Sequence, residues 1–218
     1  MSPLGSLALA CLAFVGSHFL LSHPLRAPLV ARLGETKFQI LYSLVALATF
    51  GVMIWVYGKA GGAAPLWSAG APLWTVASLV MWFASILLVG SFVGNPALPG
   101  VRVPNTGPSG VLAITRHPMM WSFALWAIVH AMLIATPEAL VLDAAILVLA
   151  LGGSVGQDAK KRVLKGPCWH EWAAQTAFMP FGHGLASPGI VALVGGTAVF
   201  LLATWLHPMP VGVWHWLG

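Results

Sequence analysis

Six long apolar runs take up most of this sequence of 218 residues. A helix of about 20 apolar residues spans the hydrocarbon core of a bilayer, and a backbone in lipid satisfies its polar groups only as a helix or a closed barrel. Only 7% of the residues are charged, against about 25% in a soluble domain. The sequence therefore predicts an all-α polytopic membrane helical bundle of about six transmembrane helices, at residues 3–21, 38–57, 73–93, 118–135, 139–155 and 189–206.

The connections between these runs leave no room for a soluble module, so we expect a single domain over residues 1–218. The first run lacks basic residues before it and a small-residue cleavage site after it, which favours a retained helix over a signal peptide. Cys11 lies in an apolar run and Cys168 in a polar loop, so we expect no disulfide. The haem-attachment spacing C-x-x-C-H is absent, and any haem would be held without thioether links.

The basic residues alternate from loop to loop. Nine of the ten Lys and Arg residues lie in the first, third and fifth loops. The positive-inside rule places such loops in the cytoplasm, and both termini are then expected on the periplasmic side. The net charge of +5 is assigned to loops facing membrane lipids and not to nucleic-acid binding.

Two loops differ from ordinary connections. The loop 95–110, NPALPGVRVPNTGPSG, is long and rich in Pro and Gly, and such loops are either mobile or shaped around a site. The fifth loop, DAKKRVLKGPCWHEWAAQTAFMPF, places Trp169, Trp172 and Phe178 among basic residues. That pattern is typical of an interfacial amphipathic helix anchored on an anionic leaflet. The tail VGVWHWLG predicts an aromatic anchor at the outer interface.

Eight histidines against five acids make histidine the residue type in which to look for chemistry. His23, His117 and His207 each precede a proline and are expected to mark helix ends. His18 and His130 lie inside apolar runs, where no break explains them. An imidazole in hydrocarbon needs a partner, so each is expected to face the bundle interior and meet a polar group or a metal.

The motif TRHP brings Arg116 and His117 together where the fourth run begins. A basic pair at a helix start either binds an anionic group, such as a lipid phosphate or a cofactor carboxylate, or caps the helix in solvent. His117 and His130 are about 20 Å apart along one helix, so they cannot ligate one iron. A two-histidine haem site must draw its ligands from different helices.

Three stretches carry a family resemblance: SHFLLSHPLRAPLVARLGETKFQILYSLVAL, TRHPMMWSFALWAIVHAM and GGSVGQDAKKRVLKGPCWHEWAAQTAFMPF. Together they resemble the NnrU family of bacterial membrane proteins, up to about Phe181. That family is linked to nitrite and nitric oxide metabolism in denitrifying bacteria. It is similar to the plant 15-cis-zeta-carotene isomerase, a membrane enzyme with a haem b held between histidines.

The resemblance implies a haem b-binding protein of the bacterial inner (cytoplasmic) membrane. If it is an enzyme, the implied activity is haem-dependent cis–trans isomerisation of a polyene such as a carotenoid. The implied iron ligands are His18 and His130, with Arg116 and His117 at the cofactor and Arg116 on a haem propionate. The isomerase has a cysteine where this chain has Ala127, so the resemblance does not extend to a redox-dependent exchange of ligands.

The expected depths of the two ligands differ. If the first helix ends near His23, then His18 lies about 10 Å closer to the cytoplasmic boundary than His130 does. Either the helices depart from this simple arrangement, or His117 or His23 replaces one member of the pair.

Two other functions fit parts of the sequence. S-adenosylmethionine-dependent membrane methyltransferases also carry R-H-P before a transmembrane helix, but usually show paired glutamates after the next helix, where this chain has Asp158 alone. The other alternative is a non-catalytic assembly factor for a membrane complex, in which the buried histidines only join helices.

Overall fold

The structure is a computed structural model that describes residues 1–217. Those residues form ten helices and no strand, which confirms the all-α prediction. The helices are α1 (Pro3–Ser22), α2 (Arg26–Leu33), α3 (Glu35–Ala60), α4 (Ala71–Gly90), α5 (Val111–Ile114), α6 (Pro118–Leu133), α7 (Pro137–Lys165), α8 (Pro167–Gln175), α9 (Ile190–Trp205) and α10 (Trp214–Leu217).

Each of the six predicted apolar runs is a helix. Helices α1, α3, α4 and α7 are long and apolar enough to cross a membrane, and α6 and α9 are shorter apolar helices of 16 residues each, about 24 Å long. The prolines mark helix ends as expected, since α1 ends just before His23, α6 begins just after His117, and α9 ends two residues before His207.

Helix α7 is longer than the apolar run that predicted it. The run ends at Val155, but the helix continues to Lys165 and has 29 residues, about 43 Å of rise, against about 30 Å for the hydrocarbon core. The residues after the run include Gln157, Lys160 and Lys161, which are good helix formers. The polar sequence therefore ends the apolar run without ending the helix.

The chain folds as two compact units. The first consists of Met1–Ser68 and His130–Gly153, and the second of Ala69–Val129 and Ser154–Gly218. The expectation of a single domain over residues 1–218 stays a prediction.

In the first unit, α1 packs along α3. Leu7 near the start of α1 shares a buried cluster with Ala60 at the end of α3, and His18 near the end of α1 contacts Tyr42 in the first half of α3. The two helices are therefore antiparallel. Leu142 of α7 joins the cluster around Leu7.

In the second unit, α4 packs against α9. Gly196 of α9 lies so close to α4 that a Cβ there would stand 2.5 Å from the Cα of Ile86. Small residues allow such close approach of membrane helices. Trp82 donates a hydrogen bond of 2.9 Å across the same pair of helices to Thr197 Oγ1.

The expectation that the fifth loop anchors in the interface through its aromatic side chains is wrong for Trp169 and Trp172. These side chains of α8 are 0% and 2% exposed, and they pack against residues of the loop 95–110. Lys165 holds that loop by donating hydrogen bonds to the carbonyls of Pro96, at 2.9 Å, and Val101, at 2.6 Å. The Pro- and Gly-rich loop therefore packs over α8 and covers the side chains that were predicted to contact lipid.

Candidate functional site

A buried ion pair lies where α6 begins. The Nε and Nη2 atoms of Arg116 donate to the carboxylate of Asp158 in α7, at 3.0 and 2.7 Å from Oδ2. Its Nη1 atom donates to the carbonyl of Thr176, at 2.8 Å. The Arg116 and Asp158 side chains are 11% and 6% exposed. The guanidinium thus makes two charge-assisted hydrogen bonds to the carboxylate, and such bonds are stronger than neutral ones.

His117 belongs to the same cluster and is fully buried. Its Nδ1 atom is 3.2 Å from Oε1 of Gln157. Its Nε2 atom is 3.0 Å from Oδ1 of Asp158, at ion-pair distance, although its geometry is not that of a hydrogen bond. The ring of Phe178 packs edge-on against the imidazole, with centroids 5.2 Å apart. Both ring nitrogens of His117 thus face groups of the chain itself.

The TRHP pair was expected either to bind an anion or to cap a helix in solvent. In the structure the anion next to Arg116 and His117 is the chain's own Asp158. A cavity of about 20 Å³ adjoins the cluster, lined in part by Asn95 and Met120. A cavity of that size has room for about one water molecule, and not for the carboxylate of a cofactor.

His18 lies in the first unit and is half-buried. Its Nδ1 atom is 2.8 Å from the carbonyl oxygen of Phe14, so the ring donates its N–H there and Nε2 keeps its lone pair. Within residues 1–217, Nε2 makes no hydrogen bond. The rings of Phe14 and Tyr42 stand edge-on to the imidazole, with centroids at 4.5 and 5.5 Å. Metal-binding histidines are typically oriented by this kind of hydrogen bond from the second nitrogen.

His130 lies in the same unit, at a different depth. It is three residues, about 5 Å of rise, from the end of α6 at the turn into α7. His18 is next to Phe19, whose ring lies against Gly152 of α7. Gly152 is about 22 Å of rise beyond Pro137, where α7 begins. The two histidines therefore differ in depth by about 15 Å, more than two imidazole side chains on one iron can readily span.

The sequence reasoning overlooked two buried acids of the first unit. Glu138 and Asp143 of α7 are both buried, and Oδ2 of Asp143 has no hydrogen-bond partner. The signal was present, since an acid within ALVLDAAILVLA is one of only five in the chain. Ionisable residues within membrane helices are rare and commonly functional. Within residues 1–217, no group of three or more His, Cys, Asp and Glu side chains is placed to hold a metal ion.

Comparison with known proteins identifies the family. No curated protein and no solved structure matches the chain. The family model described as NnrU protein matches residues 6–215. That match covers the TRHP motif, His18 and His130, together with all of α6 and with α1 from its fourth residue. The chain therefore belongs to the NnrU family.

Proposed function

We propose that this chain is a haem b-binding membrane protein and that His18 would hold the haem iron. The observation that supports this most directly is the Nε2 atom of His18, which has no hydrogen-bond partner while Nδ1 is fixed by the Phe14 carbonyl. A polar ring in a membrane helix is costly unless something binds it. A neutral imidazole with one free lone pair is the form that ligates iron.

The residues around His18 fit this role. The Phe14 carbonyl selects the tautomer and orients the ring, and the rings of Phe14 and Tyr42 restrict its rotation and form an apolar surface. When bound, a haem supplies an iron for redox chemistry that side chains do not provide. The isomerisation of a polyene double bond is the activity implied by the resemblance, and it rests on haem binding.

The contacts of the other predicted cofactor residues give haem binding less support. His130 stays a prediction as the second ligand, and its depth argues against sharing one iron with His18. Arg116 and His117 also stay predictions, and their contacts with Asp158 account for both side chains without a haem propionate. The methyltransferase alternative needs acids free to hold its cofactor, whereas Asp158 is already engaged by Arg116.

The test of haem binding is the ultraviolet–visible spectrum of protein expressed with added haem and purified in mild detergent. We expect a Soret band in the wild type, its loss in His18→Ala, and its retention in His183→Ala, a control at an exposed histidine. A wild type without the band would favour the non-catalytic assembly factor. An unchanged band in His18→Ala would remove the proposed ligand.

The second ligand is tested separately with His130→Ala. Because of the depth difference, we expect this variant to keep its haem and its Soret maximum. Loss of the band, or a change of spin state, would show that His130 reaches the same iron after all.

Activity is tested by incubating the holoprotein with a 15-cis polyene and separating the isomers by chromatography, with His18→Ala as the inactive comparison.

A further inference from the structure

Arg26 lies in the same unit as His18, at the start of α2. The positive-inside rule puts the loop that contains α2 on the cytoplasmic side, and α1 ends on that side four residues after His18, about 6 Å of rise. A charged group is costly deep in the bilayer and far less so near a helix end. The proposed haem carries its anionic propionates on one edge of an apolar ring, so we expect that edge at this end of α1.

Two aromatic rings of α3 connect His18 with Arg26. The ring of Tyr42 stands edge-on to the His18 imidazole, with centroids 5.5 Å apart. Phe38 lies one turn closer to the cytoplasm on the same face of α3, and its ring centroid is 6.3 Å from that of Tyr42. The guanidinium carbon of Arg26 lies over the Phe38 ring, 5.7 Å from its centroid. Arg26 is therefore held on the face of α3 that His18 contacts, on its cytoplasmic side.

Arg26 has hydrogen-bond donors that the chain does not use. Its Nη2 atom alone donates to Glu35, at 2.7 Å from Oε1 and 2.9 Å from Oε2. Among the residues that the structure describes, Nε and Nη1 have no hydrogen-bond partner, and the side chain is 20% exposed. A guanidinium presents its N–H groups as a fork that matches the oxygens of a carboxylate. Arg26 can therefore keep Glu35 and still donate to a second carboxylate.

Arg116, the residue expected at a haem propionate, has no such capacity. Each of its three side-chain nitrogens already donates to an oxygen of Asp158 or Thr176. To bind a propionate, Arg116 would have to release a buried carboxylate, which is strongly unfavourable. Arg26 can bind one without releasing Glu35, whose side chain is itself 49% exposed. We propose that Arg26, and not Arg116, binds a haem propionate, an inference that rests on the proposed function.

Haem b and its dimethyl ester differ in whether the propionates are charged, so the two compounds measure what the carboxylates contribute to binding. Full-length apoprotein in mild detergent is titrated with each compound, and the growth of the Soret band gives the dissociation constant. We expect the wild type to bind haem b about tenfold more tightly than the ester, as for one charge-assisted hydrogen bond. Equal affinities for the two compounds would overturn the proposal without any variant.

Two variants test the contribution of Arg26. In Arg26→Gln we expect the affinity for haem b to fall about tenfold, to that of the ester. Its affinity for the ester should equal that of the wild type, which also shows that the variant folds. Arg32→Gln, the matched control, removes an exposed charge from the same helix and should keep the preference for haem b. An equal loss in both variants would show a general attraction of the basic loop and overturn the proposal.

Failure of this inference differs from failure of the proposed function. If only the assignment of Arg26 is wrong, both compounds give a Soret band that His18→Ala abolishes, and Arg26→Gln keeps the preference for haem b. If haem binding itself is wrong, neither compound gives a Soret band with the wild type, and both proposals are overturned.

Discussion

At the scale of single residues, the Arg116–Asp158 pair shows what the TRHP motif does in this fold. The two side chains come from residues 42 apart in sequence, and Arg116 also binds the carbonyl of Thr176. One guanidinium thus joins the start of α6, the extension of α7 and the segment after α8. Removing both charges from water costs free energy. The fold tolerates this cost because nearly every polar group in the contact has a hydrogen-bond or ion-pair partner.

Loss of one partner of this pair should be strongly destabilising. In Asp158→Asn the buried guanidinium of Arg116 keeps its charge without a counter-ion, and we expect a loss of about 3 kcal/mol in the free energy of unfolding. The measurement is the thermal unfolding midpoint in detergent.

The matched control is Glu35→Gln, which removes the acid of the more exposed Arg26–Glu35 pair. Such pairs contribute about 0–1 kcal/mol, so its unfolding midpoint should shift far less. Equal shifts in the two variants would mean that burial does not set the strength of the Arg116 contact.

At the scale of helices, the packing of α9 on α4 depends on a glycine. Gly196→Ala would place a methyl group 2.5 Å from the Cα of Ile86, and a backbone atom cannot move aside as a flexible side chain can. We expect a loss of about 1–3 kcal/mol, the usual cost of overpacking, measured as a lower unfolding midpoint.

The control for this substitution is Gly51→Ala in α3, where a Cβ would meet no atom within 4 Å. There the higher helix propensity of alanine should leave stability unchanged or raise it, by up to about 1 kcal/mol. A midpoint for Gly196→Ala at or above that of the wild type would show that the two helices separate without cost.

At the scale of the whole molecule, the orientation in the membrane can be tested with a native thiol. Cys168 is exposed and Cys11 is buried. The positive-inside rule puts the loop that carries Cys168 in the cytoplasm, so a membrane-impermeant maleimide should label inverted vesicles and not intact spheroplasts. Cys168→Ser should abolish the label, and a reporter fused after Gly218 should be periplasmic. Labelling of spheroplasts would reverse the assigned orientation.

The six apolar helices and the family were predicted from the sequence. Apolar runs long enough to cross a bilayer have one principal way to satisfy their backbone there, so all six runs are helices. Proline restricts its own backbone and that of its neighbour, and the helix boundaries near His23, His117 and His207 followed from that. These are local effects, and they can be read from adjacent residues. The family resemblance in the three quoted stretches was confirmed over residues 6–215.

What these residues contact depended on how distant segments of the chain pack together. An amphipathic segment has the same composition whether lipid or a loop covers it, so the burial of Trp169 and Trp172 under residues 95–110 could not be read from α8. Likewise, the basic pair of TRHP needs either an anion or solvent beside it, and the motif does not specify which. In the fold that anion is Asp158, because α7 continues past its apolar run. The depth of His18 relative to His130 also depends on how α1, α6 and α7 pack. Burial and partner choice depend on segments distant in sequence, whereas polarity and backbone preference are properties of each segment alone.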